Sequence, residues 1–303
     1  MIWVPATLLA GLLQAWRTAV QLRVREDLSV NAAGLVRFLF GLPTALLLLA
    51  IYLAIHGWAV ALADPHRLLL WAAIGGLSQI IGTNLLLMAF HYRSYVVGTA
   101  YAKTEAIQGA LLAWALLGEV LHPLAWLGIA VVVAGVFTLS LGAQRLTPRA
   151  ALTMIAQPAA LCGLGAAFAF AVTALCVKGA TLAVGGADPF LRALIALAVT
   201  LALQVAMQGG YLLLREPEQL RRIIATWRTS GQVGLLAALG SACWFTGFAT
   251  GPVALVRVVG QVEVLLTPLF ARYYLGERLH GSDLAGLFIV TVGIILSIVG
   301  GLM

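Results

Sequence analysis

Two carboxylates in this chain stand where carboxylates are costly. The stretch Tyr101-Ala102-Lys103-Thr104-Glu105-Ala106-Ile107-Gln108 sets an acid, a base and amide chemistry near the middle of an apolar run long enough to span a bilayer. A charged side chain at that depth costs several kcal/mol unless it faces a protein interior or a watery cavity. Sliding the sequence by 158 residues lays Glu263 on Glu105, at the same place in a second apolar run. Paired carboxylates at that depth can hold the cationic group of a solute, and can trade a proton as the solute leaves. Lys103, one of two lysines in the chain, stands beside Glu105. It either forms a buried ion pair with a glutamate from another helix or recognises a solute carboxylate or phosphate while Glu105 or Glu263 faces an amine. The second alternative points to a zwitterion such as an amino acid, or to a related amine-bearing metabolite.

Counted along an unbroken helix, Tyr101, Glu105 and Gln108 share one face and Lys103 points elsewhere. Further polar residues extend the set. The first apolar run carries Gln14, Arg17, Thr18 and Gln21 as one stripe. Arg17 either reaches toward headgroups or a neighbouring helix, or lines a cavity and meets an anionic solute or a carboxylate. Gln79 and Thr83 share a face of the third run, with Asn84 on an adjacent one, as a hydrogen-bonding residue between helices or a solute contact. Trp244 and Phe248 are four apart, with Ser241 three before the tryptophan, so they are packing aromatics or a cavity wall. Near Glu263, Arg257 and Gln261 share another face, and Arg257 reads as a membrane-edge residue, with a gate or a solute clamp as the alternative. Pro268 should open that helix locally. Glu119 and Glu277 close their runs and read as loop or capping groups.

The elements that must position these residues follow from composition. The 303 residues are 62% hydrophobic and only 10% charged, against about 25% charged in a soluble domain. That excludes an ordinary soluble enzyme and predicts an all-α polytopic membrane protein. Ten apolar runs lie near 3–22, 30–53, 68–90, 96–118, 123–143, 157–178, 188–214, 230–250, 254–276 and 282–302. The second should bend at Pro43, and the fifth, with Gly128 and Gly135, reads as a packing helix. The longest polar connections fall near 54–67, 144–157 and 215–229. No basic region or cleavage site precedes the first run, which reads as a spanning helix and not a signal peptide. The net charge of +7 is spread over short loops and forms no nucleic-acid stripe. Cys162, Cys176 and Cys243 lie in apolar runs without metal-ligand spacing. No cofactor or metal is expected.

The 158-residue shift also lays Gly276-Glu277 on Gly118-Glu119, His280 on His122, Gly286 on Gly128 and Gly293 on Gly135, while a shift of 155 lays Arg192 on Arg37. This is an internal duplication, residues 1–143 and 157–303. An odd number of spans per half makes the second half enter the membrane from the opposite side, an inverted repeat. In such carriers the solute site lies near the midplane and access alternates.

A glycine–glutamate pair closes one helix and a glycine-containing apolar helix follows, in both halves. The stretch from Leu266 through Gly276-Glu277 to Leu279, followed by Gly286 and Gly293, resembles the EamA domain of the drug/metabolite transporter superfamily. Leu116-Leu117-Gly118-Glu119 matches more loosely. The resemblance implies ten helices around a central cavity lined by runs 1, 3, 4, 6, 8 and 9, with runs 5 and 10 outside it. It also implies a carrier of amino acids, cations, drugs, sugars or nucleotide derivatives. Lys103-Thr104-Glu105 departs from the common pattern, as in a specialised subfamily.

The sites expected to bind solute are therefore Glu105, Glu263, Lys103, Tyr101, Gln108, Arg17, Gln14, Gln79, Asn84, Trp244 and Gln261. The expected partners are a small-molecule solute and the lipid bilayer, with no nucleic acid. Arg23, Arg25, Arg93, Arg145, Arg149, Arg215, Arg221, Arg222, Arg228, Arg272 and Arg278 gather on one side, against Arg67, Lys178 and Arg257 on the other. This bias puts both termini outside the cytoplasm of a bacterial inner membrane. A flippase for a lipid-linked substrate is the alternative carrier. An intramembrane enzyme is a distant third, since the five histidines sit at loops and helix ends and no nucleophile motif or P-loop is present.

Overall fold

A computed structural model describes residues 2–57, 62–92, 101–141, 157–186, 188–270, 272–273 and 281–303, and every regular element among them is a helix. In chain order these are α1 (Trp3–Asp27), α2 (Val30–Leu39), α3 (Gly41–His56), α4 (Pro65–Tyr92), α5 (Glu105–Leu117), α6 (Pro123–Leu141), α7 (Pro158–Val184), α8 (Pro189–Arg215), α9 (Pro217–Ala225), α10 (Trp227–Thr250), α11 (Val253–Val259), α12 (Val262–Phe270) and α13 (Gly281–Leu302). Proline opens α4, α6, α7, α8 and α9, at the position where its missing N–H removes no helical bond.

Among the described residues, five stretches are long and apolar enough to cross a membrane: α2 with α3, then α4, α7, α8 and α10. α5 and parts of α6 and α13 are apolar but shorter. Large apolar side chains such as Ile55, Leu70, Leu116, Phe168 and Leu213 are exposed, which suits an outer surface solvated by acyl chains. Backbone groups hidden from water in this way must bond within their own segment, so helices follow from the composition.

Several elements depart from the expected runs. The second run breaks at Phe40, between α2 and α3, because Pro43 offers no N–H to the carbonyl of Leu39 and its ring crowds that carbonyl. The polar connection at 215–229 holds a short helix, α9. The fourth and ninth runs, expected as continuous helices, are interrupted within the described residues. α5 begins only at Glu105, and a two-residue turn separates α11 from α12. That second break lies at Gly260 and Gln261 and not at Pro268, which α12 passes through.

The chain divides into two compact units, residues 1–80 with 173–252 and residues 81–172 with 253–303. The divisions fall inside α4 and α7, so each unit combines a piece of each half of the sequence.

In the first unit α1 packs along α10, and α8 packs against α2, α3 and α10. Gly234 of α10 meets the α2–α3 junction so closely that a Cβ there would lie 2.3 Å from the Cβ of Phe40. Amides tie the helices across the unit: Gln204 Nε2 donates to Gln79 Oε1 at 2.7 Å and to the carbonyl of Gly76 at 3.2 Å. Gln21 Nε2 donates to the carbonyl of Ala33 at 2.7 Å. At the start of α8, the carboxylate of Asp188 accepts from the backbone N–H of Phe190 and from the hydroxyl of Tyr52. Burial pushes this carboxyl up, but the Tyr52 hydroxyl, the N–H groups of Phe190 and Leu191 and the nearby His56 outweigh it and hold it below its ordinary range.

In the second unit α6 packs along α13 at backbone contact. A Cβ at Gly128 would fall 2.5 Å from the backbone nitrogen of Ser297, and one at Gly293 would fall 2.6 Å from that of Val132. Gly135 meets Val290 in the same way, at 2.7 Å. The expectation that Gly128 and Gly135 mark a packing helix therefore holds, and the motif glycine Gly293 is the surface it packs on. α11 lies against α5.

Candidate functional site

Glu105 and Glu263 each stand in the first turn of a helix that restarts after a break. In the first half Lys103 and Thr104 form the turn; in the second Gly260 and Gln261 do. The backbone tightens in the same way at both. The N–H of Ala106 donates to the carbonyl of Lys103 at 3.3 Å, and that of Val264 donates to the carbonyl of Gln261 at 2.8 Å. These two bonds are related by the same 158-residue shift that relates the glutamates. The N–H groups at the start of each helix, with its dipole, favour a negative charge there.

Both carboxylates are engaged, each by a residue of the opposite half. Lys103 Nζ pairs with Glu263 Oε2. Arg257 Nη1 lies 3.4 Å from Glu105 Oε2, and Gln261 Nε2 donates to Glu105 Oε1 at 3.4 Å. The shift carries Lys103 onto Gln261 and Glu263 onto Glu105. The Lys103–Glu263 contact is thus the repeat image of the Gln261–Glu105 contact, and Arg257 supplies the positive charge that Gln261 lacks. A two-fold relation of this kind makes reciprocal contacts. Glu105 and Glu263 are 3% exposed, Lys103 5%, Arg257 6% and Gln261 0%. Arg257 Nη2 also donates to the carbonyl of Phe170 at 2.6 Å, and Gln261 Nε2 to that of Arg257 at 3.2 Å. The Oε1 of Gln261 accepts no hydrogen bond among the described residues.

Two expectations need correction. Arg257 does not stand at an exposed edge; it is buried against Glu105, because a carboxylate so enclosed needs a counter-charge. Lys103 does not point away from the site. The tightened turn ends the unbroken periodicity that separated it from Glu105, and it reaches Glu263. The Lys103–Glu263 contact is the ion pair that one of the two sequence readings described.

The remaining expected site residues fall into two sets. In the second unit Tyr101 is buried, its ring edge-on to Phe137 at 6.4 Å. Gln108 Nε2 donates to Thr104 Oγ1 at 3.1 Å, within its own helix turn, while Asn84 is half-buried on α4. In the first unit Gln14, Arg17 and Trp244 line a small cavity together with Arg37, Leu236, Ala237, Gly240 and Ser241. Trp244 Nε1 donates to Gln14 Oε1 at 2.9 Å, and the indole stacks on Phe248 at 5.7 Å. Gln79, in the same unit, is held by Gln204. Arg37 and Arg257 were absent from the expected set. Arg37 had a signal in its repeat mate Arg192, and Arg257 in its place four residues before Gln261.

Glu119 takes the capping role expected of it. Gly118, at φ +66°, ends α5 in the left-handed conformation that glycine adopts freely. The carboxylate of Glu119 then accepts from the N–H groups of Val253 and Ala254 at 3.0 and 3.3 Å, capping α11 of the other half. Its repeat mate Glu277, with Gly276, Arg278 and His280, lies outside the described residues, as do Arg93, Arg145 and Arg149.

No curated protein matches this chain. Among solved structures, one described only as a crystal structure of a protein superposes with a TM-score of 0.69, at 17% identity, over 98% of this chain and 97% of the other. That likeness establishes a shared fold. The profile of the EamA-like transporter family matches twice, at residues 1–141 and 157–299. With its apolar helices and this double match, the chain is an integral membrane protein that belongs to the EamA-like transporter family of the drug/metabolite transporter superfamily.

Proposed function

We propose that the protein is a secondary transporter that moves a small polar metabolite, an amino-acid-like zwitterion or an amine, by alternating access. The reading is carried by the crossed pairs at the two helix breaks, Lys103 with Glu263 and Arg257 with Glu105. Opening so enclosed a pair strands two charges in a poorly solvated interior. A zwitterion replaces both contacts at once: its ammonium takes Glu263 and its carboxylate takes Lys103, with no net charge added. A simple amine satisfies Glu263 but leaves Lys103 without its partner, so the pair selects the zwitterion of the two. A sugar or nucleoside offers neither charge. A carboxylate that passes from Lys103 to a solute ammonium and back has a cationic partner in both states, which suits solute exchange.

Ten spanning helices in two inverted five-helix repeats are the architecture this mechanism uses. Its support is the pair of helix breaks at repeat-related positions, since broken helices are where carriers of this kind build their solute sites. The bias of the loop arginines supports termini on the non-cytoplasmic side of a bacterial inner membrane. A reporter fused after Met303 that is active only outside the cytoplasm is the expected result, and cytoplasmic activity would reverse the orientation.

The experiment that tests the function is a thermal-shift screen of purified protein against amino acids, amines, sugars and nucleosides, followed by uptake into proteoliposomes. Stabilisation by zwitterions above their decarboxylated amines, with uptake of the stabilising solute, is expected. Stabilisation and uptake confined to uncharged sugars would overturn the proposal.

A further inference from the structure

We infer that α9 and the helix ends beside it, all in the first unit, are a docking surface for the headgroups of anionic phospholipids. This needs only that the chain is an integral membrane protein, whatever it transports. α8 ends at Arg215 and α10 begins at Trp227, with residues 216–226 between them. Both flanking helices are long and apolar enough to cross a membrane. A connection this short keeps α9 at the membrane boundary, in the layer where headgroups lie. Its seat there is fixed. Ile223 is buried, and α9 packs on α2 and α8. Glu216, just before it, accepts from the Ser29 hydroxyl and from Asn31 Nδ2 at 2.7 Å. Gln219 Oε1 accepts from the backbone N–H of Ser29 at 3.1 Å.

The surface left outward is apolar along one edge and basic along the other. Leu220 and Ile224 are one turn apart, beside the buried Ile223, and Ile224 is 70% exposed. Leu214 at the end of α8 and Trp227 at the start of α10 are exposed as well, and an indole is at home at headgroup level. Arg221 and Arg222 of α9 are exposed, as are Arg215 and Arg228 on the flanking helices. Among the described residues none of these four is in an ion pair. From 215 to 228 they stand against two acids, Glu218 and Glu216, and the second is engaged by Ser29 and Asn31. The turn before Ser29 is balanced, with Arg23 and Arg25 against Glu26 and Asp27. The Arg228 guanidinium lies 5.6 Å from the centre of the Trp227 ring, so one spot offers both an aromatic face and a positive charge. Guanidinium groups take phosphate oxygens in pairs, and a net positive edge gathers anionic lipids in preference to zwitterionic ones.

The test places the full chain in nanodiscs of phosphatidylcholine and phosphatidylglycerol in equal parts, with bromine near the headgroup end of the acyl chains of one lipid at a time. The signal is the tryptophan emission that Trp227→Phe removes, so the other tryptophans drop out. Bromine on phosphatidylglycerol should quench it about twofold or more beyond bromine on phosphatidylcholine. The variant Arg215→Gln/Arg221→Gln/Arg222→Gln/Arg228→Gln should bring the two lipids level. All four side chains are exposed, so it should elute as a single species like the wild type. Arg221→Gln/Arg222→Gln alone, a milder change, should narrow the preference, and Glu218→Gln, which removes an acid from the same surface, should widen it. Equal quenching by the two lipids in the wild type overturns the inference, as does a preference that the folded arginine variants retain in full. Emission that neither lipid quenches also overturns it, because it puts Trp227 in water and leaves the arginines to an acidic protein partner.

Discussion

Removing one member of the Lys103–Glu263 pair leaves the other as a buried charge among apolar helices. Glu263→Leu and Lys103→Met should each lower unfolding stability, by about 3–5 kcal/mol if the remaining group stays ionised. The double variant Lys103→Met/Glu263→Leu should recover most of that loss, because both desolvation costs disappear together. Denaturant unfolding of the three variants in one detergent measures the coupling, and additive losses would mean that the two groups do not depend on each other. Glu105, Glu263 and Lys103 were legible in the sequence because ionised residues inside apolar runs are rare and costly. Arg257 was not. Its place four residues into a run counts as a membrane edge only along an unbroken helix, and its partner Glu105 lies 152 residues away. The pairing also alters what Lys103 and Gln261 mean. The two differ in type, yet by contact they do the same job on opposite carboxylates, with Arg257 restoring the charge.

Among the elements, α6 and α13 are held by glycines that admit backbone contact, not by large side chains. Gly293→Val would press a branched side chain on the backbone of Val132, where even a Cβ would lie at 2.6 Å. A loss of about 1–3 kcal/mol, or failure to elute as a single species in size-exclusion chromatography, is expected. Wild-type melting would place the helices farther apart. The start of α8 carries a pH dependence of defined sign. Asp188 is held below its ordinary range in the folded protein, so its contribution is present above the unfolded carboxylate value of about 3.9 and is lost as pH falls through the lower folded value. Asp188→Asn should remove that part of the acid-side loss, seen as a smaller difference between the melting temperatures at about pH 6 and about pH 3. An unchanged difference would show that the carboxylate is not so held. The α2–α3 break was legible through Pro43, whereas the break at Lys103–Thr104 contains neither glycine nor proline. There the tight turn goes with the burial of Lys103 against Glu263, a tertiary contact that no local pattern records.

For the whole molecule, the 158-residue repeat was legible because acids, a histidine and spaced glycines coincide, and the family profile matches twice along the same division. What the repeat did not disclose is that the compact units take a piece from each half, since covalent order says nothing about which segments pack together. The crossed pairs show this within one unit, where residues 103 and 105 meet residues 257, 261 and 263. They also carry the functional account, in which buried charges are exchanged for the charges of a solute. The most direct measurement is uptake of the stabilising zwitterion into proteoliposomes containing wild type, Glu105→Gln, Glu263→Gln or Lys103→Gln/Glu263→Gln, each shown folded by a monodisperse elution. The account predicts uptake by the wild type and none above empty liposomes for every variant. Wild-type rates from folded Glu105→Gln and Glu263→Gln would contradict it.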